Sequence, residues 1–285
     1  MNALFGPAGS SEDFLKKYKS SKDMPAYLEQ LGLDAFEYQC GQGVRVTDAS
    51  AAALNGEAQK HGIKLSLHSP YFISLSSVEE QKRDKSIDYI LQSCRAAQKI
   101  GADRIVIHSG SCSKMTREYA LELAKDTLKR ARKMAVDEGY EQIHFCPETM
   151  GKINQLGTLE EVLELSALDD SFIPCIDFGH LNARTLGEVN SYEAFEHILD
   201  RIQDKLGSDR LKTFHSHFSK IEYTQNGGEK RHLTFEDNVY GPDYEPLMEL
   251  VAKKQLAPTF ICESAGTQSF DALAMKTAYL KFLSI

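Results

Sequence analysis

The sequence has no C-x-x-C pair, no uninterrupted apolar run approaching the roughly 18 residues of a membrane-spanning helix, and no surplus of positive charge. Its six cysteines (Cys40, Cys94, Cys112, Cys146, Cys175 and Cys262) are scattered, several of them inside apolar runs. They read as reduced core residues, neither a disulfide framework nor a structural zinc site. The opening stretch MNALFGPAGSSEDF lacks a basic region followed by an apolar one. The expectation is therefore a soluble, cytoplasmic protein without membrane attachment. A formal net charge of −8 excludes a protein that holds nucleic acid mainly through a broad basic surface. It leaves open a local cationic site, bound metal included, that meets a phosphate. No G-x-G-x-x-G follows the first apolar run, which argues against an open dinucleotide-binding sheet.

What is present is ordinary globular composition, 42% hydrophobic and 26% charged, with no biased tract and no linker dividing the chain. Short strand-like runs alternate with longer helical patterns. The strand runs are ALFGPAG near the N-terminus, DAFEY (34–38), KLSLH (64–68), RIVIH (104–108), QIHFCPE (142–148), IPCID (173–177), KTFHSH (212–217) and TFICE (259–263). Segments such as SIDYILQSCRAAQKIGA and YALELAKDTLKRARKMAVDEG place apolar residues three and four apart and close near a glycine. Eight β-then-α units in 285 residues predict a (β/α)8 TIM barrel, an α/β fold of about 250 residues, as one domain over 1–285.

Five of these strands end on a residue able to bind a metal: His68, His108, Glu148, Asp177 and Glu263, with His215 at the seventh making a sixth. Strand C-termini of such a barrel converge on one mouth. Any one of these residues alone reads as a turn cap or a surface group. Six together would be buried charges without a counterion, at a cost of about several kcal/mol each, and a divalent cation removes that cost. The mixed imidazole and carboxylate set suits zinc or manganese. Asp177 and His180 form D-F-G-H, a strand end turning into a loop. Strand alternation puts His215 and His217 on one face, and GGEKRHL supplies His232 in a following loop. His61, His144 and His197 fall outside the mouth.

At these residues the sequence resembles endonuclease IV, the family-two apurinic/apyrimidinic endonucleases of the xylose-isomerase-like barrels. The resemblance spans nearly the whole chain through LHSPYFISL (67–75), IHSGS (107–111), PETMGKINQLGTLEEV (147–162), IDFGHLNA (176–183), FHSHFSK (214–220) and CES (262–264). It implies a zinc site in which His68, His108 and Glu148 hold one ion. Glu148 then bridges to a second ion held also by Asp177, His215 and Glu263, and His180 with His232 contribute to a third. Where that family has aspartate two residues before the last histidine, this chain has Lys230, a cation that cannot replace a carboxylate ligand unless deprotonated. Two Zn2+ ions are therefore expected over three, with Mn2+ as the alternative metal. His217 or water could complete the site, or the Lys230 ammonium could meet a phosphate oxygen.

The resemblance further implies hydrolysis of DNA on the 5′ side of abasic sites by a monomeric, metal-dependent endonuclease, with Glu148 and Glu263 as the acids at the chemistry. Tyr71 and Phe72 stand in the loop that would enter the DNA stack, or else merely roof the barrel. The first alternative is a sugar isomerase or epimerase that needs one metal held by Glu148, Asp177, His215 and Glu263 and takes a small sugar or sugar phosphate. His68 and His108 favour the nuclease, because an epimerase needs no second metal pocket. The second alternative is a non-catalytic, metal-stabilised binding barrel, which a closed metal site would favour.

Overall fold

In a computed structural model describing residues 2–284, all eight apolar runs form strands. They are β1 (Leu4–Pro7), β2 (Ala35–Gln39), β3 (Lys64–His68), β4 (Arg104–His108), β5 (His144–Glu148), β6 (Cys175–Asp177) and β7 (His215–Phe218), followed by an inserted hairpin of β8 (Ile221–Thr224) and β9 (Gly228–His232), and then β10 (Thr259–Cys262). The hairpin occupies the stretch that the sequence reading treated as loop. The barrel strands neighbour one another in the order β1-β10-β7-β6-β5-β4-β3-β2, every pair parallel. Ala8 bridges Glu37, and the Gly9 N–H donates to the Glu37 carbonyl at 3.0 Å, so the ring closes between β1 and β2. Closure depends on Gly6, where a Cβ would collide with the Ala35 carbonyl.

Period-two alternation decides what each strand offers the barrel axis. Along β4, Ile105 and Ile107 belong to the large core packed against the helices, whereas Val106 packs in a separate cluster with Cys146, Ile173 and Cys175. Val106 therefore faces inward, and so does His108 two residues on. The same step of two leads from Ser66 to His68, from Cys146 to Glu148, from Cys175 to Asp177 and from His215 to His217. Apart from the buried Glu37–His215 pair, mainly apolar residues fill the barrel below the mouth, and ionisable ones crown it. All six cysteines are free and buried, as expected of core residues. Among the described residues no helix is long and apolar enough to cross a membrane.

The loop after β5 forms one wall of the mouth and is fixed by Glu161. This carboxylate accepts the Gly157 and Thr158 N–H groups at 2.8 and 2.9 Å, completing a capping box with Thr158 at the start of the helix Leu159–Ser166. It also receives a forked pair of hydrogen bonds from Arg117 at 2.8 and 2.7 Å. Burial pushes the Glu161 carboxyl up, but the Arg117 hydrogen bond and the two backbone donors outweigh it and hold it below the usual range. Its folded pKa is depressed, so its contribution is present above the unfolded carboxyl pKa and is lost as pH falls through the folded one. Glu161→Ala is expected to cost about 1–3 kcal/mol near neutral pH. Urea titrations should show the gap from wild type shrinking in acid, and a gap independent of pH would contradict this account.

Candidate metal centre

At the C-terminal ends of the strands lies a cleft of about 510 Å3 lined by His68, His108, Glu148 and Glu263, with His180, Glu229 and His232 along one side. Three sets of donor atoms within 4.8 Å of one another meet here: His68 with Glu148 and His217; Glu148 with Asp177, His217 and Glu263; and His180 with Glu229 and His232. Glu148 joins the first two sets. Its Oε2 lies 3.4 Å from Nε2 of both His68 and His108, and its Oε1 lies 3.0 Å from Nδ1 of His217.

His68, His180 and His232 are each aimed by their other nitrogen. His68 Nδ1 lies 2.7 Å from the Ser69 carbonyl and His180 Nδ1 lies 2.9 Å from the Thr149 carbonyl. A carbonyl only accepts, so both rings carry a proton on Nδ1, and Nε2 is the nitrogen aimed at the cleft. His232 Nδ1 meets the Ser219 hydroxyl at 2.8 Å, leaving Nε2 towards Glu229.

His215 stands one inward step below the mouth. Its Nε2 is 2.9 Å from Glu37 Oε2, and, unlike His217, it belongs to neither donor set that contains Glu148. His217, which pairs in register with Asp177, occupies the level expected of His215. Both face the axis, and the stagger of the strands decides which reaches the mouth. Lys230 also differs from expectation. It points outward and bonds to Glu222, and Glu229 supplies a carboxylate beside His180 Nε2 at 3.5 Å. The cause is a bulge. Glu222 pairs with Arg231 and Tyr223 with Glu229, which leaves Lys230 as an extra residue in β9. One extra residue brings Glu229 and His232, three apart, onto one side of the strand.

Tyr71 lines the cleft, is about half exposed, and stacks on His108 with ring centroids 5.4 Å apart. Phe72 is also half exposed but packs edge-on against Tyr89, outside the lining. Lys152 lines the rim and makes no ion pair among the described residues. Sequence reasoning passed over Glu37, Glu229 and Lys152, because nothing local marks an acid in a strand or a lysine in a loop as facing a mouth.

The electrostatics are those of a crowded acidic site. Burial pushes the Asp177 and Glu263 carboxyls up. Burial also opposes ionisation of Glu148, but the His217 charge and the His217 hydrogen bond hold its carboxyl well below the usual range. Burial drives His108 down to about 3, so it is neutral at neutral pH. Burial likewise lowers His180, but Asp177, Glu229 and Glu148 raise it further, to about 9. Imidazolium protons thus balance the carboxylates, and a divalent cation would displace them. Fit to a cation is supported by Glu148 Oε2 and Asp177 Oδ2, both buried and accepting no hydrogen bond among the described residues.

A closed ring of eight parallel strands with imidazoles and carboxylates at its C-terminal mouth defines a TIM barrel built around a candidate metal site. The chain belongs to the xylose isomerase-like TIM barrel family, whose model matches residues 25–280. An uncharacterized protein of Methanocaldococcus jannaschii is 30% identical over 97% of this chain and 96% of its own length. A probable endonuclease 4 of Mycoplasma pneumoniae is 27% identical over 67% of this chain and 64% of its own, in keeping with the endonuclease IV resemblance of the motifs. The solved structure of a D-tagatose 3-epimerase-like protein superposes with a TM-score of 0.71 at 17% identity, covering 99% of this chain and 98% of that one, a likeness of fold alone.

Proposed function

We propose that the protein is a metal-dependent phosphodiesterase that cuts DNA on the 5′ side of abasic sites. The observation that carries this reading is that Glu148, approached by imidazoles at both carboxylate oxygens, belongs with His217 to two donor sets, with a third set adjoining. An isomerase working through one metal needs a single set. Zinc or manganese ions bound there would lower the pKa of water and stabilise the charge on phosphoryl oxygens. The chain's own residues supply the rest. His68, His180 and His232, oriented by their neighbours, would hold the ions with His108, and Glu148, Asp177, Glu229 and Glu263 would balance the charge. Lys152 at the rim is placed to meet a phosphate, and Tyr71 offers a flat face to a nucleotide displaced from the stack. A local cationic centre of this kind reconciles a phosphodiester substrate with a net charge of −8.

The test is cleavage of a duplex oligonucleotide carrying one abasic site beside an undamaged control, with metal per chain determined by elemental analysis. Chelator-sensitive cutting at the abasic site with two or three ions per chain is expected. Failure to cut by protein holding one ion would move the assignment to a sugar epimerase, which needs a single metal. Glu229→Gln is expected to lower the metal content by one ion per chain and leave the other two sets filled. Unchanged content in that variant would mean that the third set binds no metal.

A further inference from the structure

We infer that Glu37, buried at the middle of β2, is the positioning residue that fixes His217 towards the metal centre. The inference rests on the metal-site reading above, to which Glu37 itself contributes no ligand. Its carboxylate is fully buried, takes three hydrogen bonds and faces a further imidazole nitrogen. His217 Nε2 lies 2.9 Å from Oε1 and His215 Nε2 lies 2.9 Å from Oε2. The Ser66 hydroxyl donates to Oε2 at 2.9 Å, and the Gln39 amide donates to Oε1 at 3.2 Å.

One carboxylate on β2 therefore spans the barrel to two imidazoles on β7, and the consequence for His217 is specific. His217 Nε2 makes no well-formed hydrogen bond, but two lone pairs cannot face each other at 2.9 Å across this buried contact, so the proton sits on Nε2 and the lone pair that the ring can offer is on Nδ1. That nitrogen stands 3.0 Å from Glu148 Oε1 and 3.6 Å from Glu263 Oε2, inside the second donor set. A carboxylate behind a ligating imidazole fixes the ring's proton, its orientation and its basicity. His215 does not compete for the mouth, because its bond to the same carboxylate holds it a step lower. The rim is tied into the same chain, since the Gln39 side-chain oxygen accepts from the Tyr71 hydroxyl at 3.4 Å.

The experiment is a zinc titration of the purified chain, wild type and Glu37→Gln, read by calorimetry and by 15N NMR of the imidazole rings. In the wild type, zinc is expected to remove the proton from His217 Nδ1 and leave the one on Nε2. Glu37→Gln keeps the packing and is expected to weaken zinc binding by about 10- to 100-fold. Should Glu37→Gln fail to fold, the wild-type proton pattern decides alone. His217 keeping both protons, or losing that on Nε2, would overturn the inference, as would unchanged zinc affinity in a folded Glu37→Gln. A chain with the expected proton pattern that cuts no phosphodiester would sink the nuclease reading and leave the role of Glu37 standing.

Discussion

Replacing Glu148 by glutamine is expected to empty the first two donor sets and lower phosphodiester cleavage by about a thousandfold or more, equivalent to about 4 kcal/mol of transition-state stabilisation. The substitution preserves shape and removes charge, so it separates ligation from packing. His68 and His108 approach one oxygen of this carboxylate, and His217 approaches the other. No second acid bridges the sets, since Asp177 and Glu263 belong to one of them alone. Metal content by elemental analysis and single-turnover cutting of an abasic duplex are the measurements. Cleavage within about tenfold of wild type would sink the shared-carboxylate arrangement.

The second large effect lies in the contrast between two histidines two residues apart. His217→Ala removes a donor from the sets around Glu148 and Asp177, and cleavage is expected to fall by on the order of a hundredfold or more with loss of metal. His215→Ala removes a buried partner of Glu37 that belongs to neither donor set around Glu148. Ser66, Gln39 and His217 still serve that carboxylate. The expected result is a stability loss of about 1–3 kcal/mol, seen in urea titration, with metal content near wild type. The reverse ranking would return the mouth position to His215.

The architecture was legible because it is written in short-range pattern. KLSLH and RIVIH alternate, the intervening segments carry helical periodicity, and all eight runs became strands. His68, His108, Glu148, Asp177 and Glu263 were legible for the same reason, since a strand end in a barrel points to one place. The hairpin was not, because Ile221–Thr224 and Gly228–His232 are short and polar and lie outside the barrel sheet.

By itself, the sequence determined the fold class and which strand ends carry ionisable groups, because period and composition act within a few residues. Tertiary structure alone decided the level at which each side chain sits. Whether His215 or His217 reaches the mouth depends on the stagger of β7 against β6, and whether Lys230 or Glu229 faces His180 depends on one bulged residue in β9. Glu37 lies 178 residues from His215 and meets it only because the ring closes. Register, bulge and closure are set by the energy of the whole barrel, which no local window of the chain contains.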